Sequence, residues 1–168
     1  MFNCVKLNEI IKFTAIILCI ALTVTFIFSN SFDDKTKSNT KSEKIVKVIK
    51  PSVDKVSQKL TGKTVKTEDL NKYTRKIAHF TEFAILGIEL LILMLLIEKA
   101  LTKLIFMPLF LGLLTACMDE FIQSFNERSD MVSDIFIDFS GCTAGILISV
   151  LAFILIKKHK TKKIIERG

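Results

Sequence analysis

The sequence predicts an all-α integral membrane protein, a bundle of four transmembrane helices with a long polar, partly amphipathic connection between the first and second. Three observations predict it. Half of the 168 residues are apolar, yet Lys and Arg number 24 and the formal net charge is +7. The two kinds do not mix as in a soluble domain but separate into long apolar and short charged blocks. The apolar blocks are four, at about residues 10–28, 77–97, 104–125 and 134–156. Each is near the ~20 residues that cross a ~30 Å hydrocarbon core, and a spanning segment must pair its backbone groups internally, as a helix does. The length suits one domain, residues 1–168.

The first block carries one charge, Lys12, placed to snorkel. Two readings of it stand: a first span, or a cleaved signal peptide with Ser29 and Ser31 as its small-x-small exit. Its apolar stretch is long for the second. Residues 29–76 form a basic polar loop. Ile45, Ile49, Val53, Val56 and Leu60 recur there at near-helical spacing among lysines. That suggests a basic amphipathic helix on a membrane surface, with a flexible charged linker as the alternative. Pro51 is expected to start a new helical piece or to break the earlier one. Thr67, followed by Glu68 and Asp69, is a helix start with acids in its first turn. The second spanning helix is therefore expected to begin before the membrane. The remaining loops, 98–103 and 126–133, are short, so consecutive helices are antiparallel neighbours. A basic tail, 157–168, is expected to be solvated. Cys4, Cys19, Cys117 and Cys142 form no CxxC pair, so neither a disulfide framework nor a zinc-cysteine site is expected. The basic residues lack a recognition fold or a stacking platform, which argues against nucleic-acid binding.

The polar residues within the spans gather on one side of the membrane. Arg75, Lys76, His79 and Glu82 open the second span, and Asp119, Glu120 and Gln123 close the third. Arg128, Asp130, Asp134 and Asp138 follow in the loop and the start of the fourth. Counting spans places all three groups at one surface. Arg75, His79, Glu82, Leu86 and Glu89 share a helical face, as do Asp119 with Gln123, and Asp134 and Asp138 with Gly141 and Gly145. The two glycines make a small-xxx-small pair suited to close helix packing. Three such stripes would enclose a polar pocket open to water. Ionisable groups inside spans mark function by default, although charges at helix ends also pair structurally in the headgroup zone.

These residues carry a family resemblance. The run Arg75-Lys76-Ile77-Ala78-His79-Phe80-Thr81-Glu82-Phe83 resembles the RKxxHFxEY signature of VanZ-like proteins. Asp119-Glu120-Phe121-Ile122-Gln123 resembles their DExxQ motif. Arg128, Asp134, Gly141 and Gly145 match the residues that follow it, and Phe28-Ser29-Asn30-Ser31 resembles their serine-rich exit from the first span. Phe83 stands where Tyr is common and Asp138 where Asn is frequent. The family takes its name from an accessory membrane protein linked to teicoplanin resistance. The resemblance implies a bacterial membrane protein with both termini in the cytoplasm. The six Lys and Arg of the tail agree, whereas the thirteen in the first loop oppose this by the positive-inside rule.

Three functions are open. The first is a non-catalytic envelope protein that binds a lipid headgroup or a lipid-linked or cell-wall precursor, contributing to teicoplanin resistance. Arg75, Lys76 and Arg128 would contact phosphate or carboxylate there. The second is an intramembrane hydrolase or transferase acting on a lipid phosphate. Glu82, Asp119, Glu120, Asp134 and Asp138 would then hold a divalent cation, with His79 as acid or base. The third is a subunit of a transporter or membrane assembly. The first is preferred, with no cofactor expected and membrane lipids as partners.

Overall fold

The computed structural model describes residues 2–33, 35–97, 101–125 and 131–165. Among them are five helices and no strand: α1 Phe2–Ser31, α2 Lys35–Thr61, α3 Thr67–Ile97, α4 Leu101–Ser124 and α5 Met131–Ile165. Four are long and apolar enough to cross a membrane, over Leu7–Ser31, Thr67–Ile97, Lys103–Ser124 and Val132–His159. The chain is a multi-pass membrane protein. Residues such as Leu22, Phe106, Phe136 and Ile148 stand outward on these helices, as lipid-facing side chains do.

In lipid, apolar burial gives helices little reason to associate, so packing and hydrogen bonds between them decide the architecture. The tightest contact joins α3 and α5, which run parallel because α4 returns between them. A Cβ on Gly141 would fall on the backbone carbonyl of Phe80, and one on Gly145 on that of Ala84. In return, a Cβ on Gly87 would fall on the carbonyl of Cys142. The two backbones therefore touch, at a separation that only glycine allows. Around this seam Ile27, Phe83, Leu86, Leu90, Leu91, Ala116, Cys142 and Ile146 form the core. Cys142 is buried with its thiol against Gly112 of α4, while Cys19 and Cys117 are exposed, and all three are free.

At about 1.5 Å per residue, the 31 residues of α3 reach about 46 Å, well beyond the hydrocarbon core. Its first turns extend beyond the apolar block, starting at Thr67 with Glu68 and Asp69 in the first turn. α2 doubles back along them. Arg75 meets Asn39 at one end of this hairpin, and Lys50 and Asp54 meet Val65 at the other. The connection is thus a helix rather than a flexible linker, and two details differ from expectation. Pro51 lies inside one continuous α2. Proline removes a single amide donor, and the packing of α2 on α3 holds the helix through that loss. The buried apolar residue of α2 is Val46, with Ile49 and Val53 half-buried, whereas Ile45, Val56 and Leu60 are exposed. α3 covers only the Val46 flank of the stripe. The basic tail likewise continues as helix, since α5 runs to Ile165.

The hairpin closes on a small clasp. Lys50 Nζ donates to Asp54 Oδ2 at 2.9 Å and to the Val65 carbonyl at 2.7 Å, and the Val65 amide donates to Asp54 Oδ1 at 3.0 Å. The Lys50 ammonium, and then the Val65 amide, hold the Asp54 carboxyl below its usual range. A depressed carboxylate pKa stabilises the fold above the unfolded value, and that contribution disappears as pH falls through the folded one. Amide protection at the α2–α3 turn, taken relative to the intrinsic exchange rate at each pH, should therefore hold down to the ordinary carboxylate range and fall below it. Asp54→Asn should exchange faster at neutral pH and lose this acid step. For the α3–α5 seam, Gly145→Val should cost about 1–3 kcal/mol or prevent folding, because the carbonyl it meets cannot move aside cheaply. Leu147→Ala, on the outer face, should stay within about 0.5 kcal/mol in the same detergent unfolding measurement.

Candidate functional site

Four helices meet at the end of the bundle where α1 leaves it and α5 enters. α4 contributes Asp119, Glu120 and Gln123 from its last two turns, all buried. Asp119 has no exposed surface. One of its oxygens accepts a hydrogen bond from Ser31 Oγ of α1, and the other accepts one from Gln123 Nε2 at 2.7 Å. The four-residue spacing of Asp119 and Gln123 makes the second bond possible on a single helix face. Gln123 Nε2 also lies 3.4 Å from Ser31 Oγ, so three side chains from two helices close on one another.

α3 and α5 complete the cluster. His79 Nδ1 stands 3.6 Å from Asp119 Oδ2 and 3.8 Å from Asp138 Oδ1. Asp138 is 1% exposed, and its Oδ2 has no hydrogen-bond partner. Asp119, Glu120, Asp134 and Glu82 all lie close enough to repel its charge. Glu82 Oε1 accepts from Asn30 Nδ2 of α1 at 3.1 Å. Deeper along the same face of α3, Glu89 Oε1 accepts from Thr23 Oγ1 at 3.0 Å. The cations stand one turn nearer the end of the bundle. Lys76 Nζ pairs with Asp134 Oδ1 at 2.7 Å, and Arg75 donates to Asn39 Oδ1 at 3.5 Å.

The structure thus brings His79, Glu82, Asp119, Glu120, Gln123, Asp134 and Asp138 into one region, with Lys76 and Arg75 at its rim. Gly141 and Gly145 lie below it in the α3–α5 seam. Arg128 and Asp130 lie outside the described residues. Within those described, Asp134 is neutralised by Lys76 rather than by an arginine. The interior is acidic and the rim is basic, a division that spacing on separate helices does not reveal. Sequence reasoning also omitted Asn30 and Ser31 from the site. Their signal was the Phe28–Ser31 run, two donors at the end of a span that faces buried acids.

If Ser31 is a working part of the cluster, Ser31→Ala should destabilise the protein by about 1–3 kcal/mol, because a buried carboxylate loses a donor. Ser29→Ala, at an exposed position of the same run, should have little effect. Thermal unfolding of the two variants in detergent compares them directly.

No curated protein and no solved structure matches the chain. A family model described as VanZ/LLP1 matches residues 13–155. That range runs from within the first span to within the fourth and takes in the α2–α3 hairpin and every residue of the cluster, and the chain belongs to the VanZ/LLP1 family.

Proposed function

We propose that the protein acts at the bacterial cell envelope, where it engages an envelope component through the polar cluster and contributes in that way to teicoplanin resistance. The observation that carries this reading is the convergence of four helices on one end of the bundle, with buried carboxylates behind a basic rim. Buried charge in a membrane protein is costly, and the lining of a binding site is a principal reason to retain it. In this reading both termini are cytoplasmic, and the cluster opens toward the outer surface. Lys76 and Arg75 contact a phosphate or carboxylate on a lipid headgroup or a cell-wall-linked precursor. Asp134, 2.7 Å from Lys76, holds that ammonium in position to do so.

The test is teicoplanin susceptibility in a sensitive Gram-positive host carrying empty vector, wild type or Glu120→Gln at matched membrane levels. Wild-type protection that disappears in Glu120→Gln is the expected result. Equal susceptibility of wild type and vector would overturn the resistance role. Protection retained in full by Glu120→Gln would separate that role from the cluster.

A further inference from the structure

Several carboxylates crowd the polar end of the bundle. Glu82, Asp119, Glu120 and Asp138 stand together in the bundle, while Lys76 is engaged by Asp134. Buried carboxylates need either protons or a cation held among them. Three groups at the centre are arranged as a ligand set. One nitrogen of His79 and one oxygen each from Asp119 and Asp138 lie within 4.8 Å of one another. The two His79 Nδ1 distances, 3.6 and 3.8 Å, approach the spacing a metal imposes. Bonds of about 2.0–2.1 Å at tetrahedral angles place ligand atoms about 3.3 Å apart. A shift of a few tenths of an ångström would bring His79 to that spacing from both carboxylates.

A second observation points to the same place. Asp138 is almost wholly buried, its Oδ2 has no hydrogen-bond partner, and its other oxygen faces His79. A carboxylate oxygen left without a donor in a buried position normally requires an explanation, and an ion is one of the few available. Ser31 fixes Asp119 through its far oxygen, as outer-shell donors fix carboxylate ligands, and Gln123 donates to Oδ2, the oxygen that faces His79 and keeps a second lone pair. The three groups come from three helices, so their convergence is a product of the fold and not of one acidic run. His79, with a side chain one-fifth exposed, is the member that reaches the surface and gives an ion its route in.

We propose that His79, Asp119 and Asp138 bind one divalent metal ion of the zinc or manganese class. One imidazole with two carboxylates suits these ions better than magnesium, which prefers oxygen ligands and retains its waters. Three protein ligands would leave a coordination position for an exogenous group. A phosphate or carboxylate could occupy that position. The ion site does not depend on the envelope role, and each can fail without the other.

The experiment uses the full chain in detergent, stripped with chelator, incubated with zinc, manganese or magnesium, desalted and analysed for metal per chain. Wild type should retain stoichiometric zinc or manganese but not magnesium, and the retained ion should raise its Tm. Asp138→Asn and His79→Gln should each weaken binding by at least about tenfold. Glu9→Gln, an exposed carboxylate at the opposite end of α1 that pairs only with Lys12 among the described residues, should bind as wild type does. Size-exclusion profiles and metal-free Tm values identify any variant that fails to fold. Substoichiometric zinc and manganese in the wild type, or equal retention by folded Asp138→Asn, would overturn the proposal.

Discussion

Asp119 imposes the constraint on which the polar end of this bundle depends. A carboxylate without solvent contact must find its donors within the protein, and those donors must come from other helices or from one turn away. Ser31 brings the end of α1, Gln123 uses the next turn of α4, and His79 brings α3. Without α1 the acid loses its hydroxyl donor. Without α3 it has no imidazole beside it. The helix least buried in the bundle thereby acquires a fixed position, because its last residues are needed at the cluster. The Thr23–Glu89 bond holds the same helix two turns deeper.

The bundle combines two modes of helix association that serve opposite ends. At the polar end, side-chain hydrogen bonds set which helices meet. Below it, the Gly141 and Gly145 positions let the α5 backbone rest on α3 at Phe80 and Ala84. The two modes share residues at i and i+4 spacing on α5: Asp134 and Asp138 face the first turns of the α3 span, and the glycines continue the same stripe. Side chains placed on such a backed-up pair of helices have little freedom to separate. This is the condition under which a constellation of charged groups keeps its geometry.

Much of this was legible in the sequence because membrane physics leaves few options. Block length gives the four helices, and the parity of spans puts His79, Asp119 and Asp138 at one surface. The path of the long connection was less legible. Periodicity alone made a stripe of Ile45, Val56 and Leu60, but which flank of α2 is covered depends on where α3 extends, and that is tertiary information. Local propensity predicts that Pro51 starts a new helical piece or breaks the earlier one, and packing overrides both. The sorting of charge inside the site escaped for the same reason. The sequence cannot say that Lys76 reaches Asp134 while Asp138 is left with its neighbouring acids.

The parallel seam between α3 and α5 also sets an order on biosynthesis. Parallel neighbours separated by a complete span cannot form as a hairpin emerging together from the translocation machinery. α1, α3 and α4 must enter first, carrying Asp119 and Glu120 into the bilayer before Asp138 exists. Until α5 follows, the groove beside Phe80 and Ala84 is open to lipid, and Asp119 relies on Ser31, Gln123 and the nearby His79. The last helix made is therefore the one that seals the interior. A chain truncated after α4 would present its carboxylates and a trough lined by Gly87 and Gly112 to the membrane.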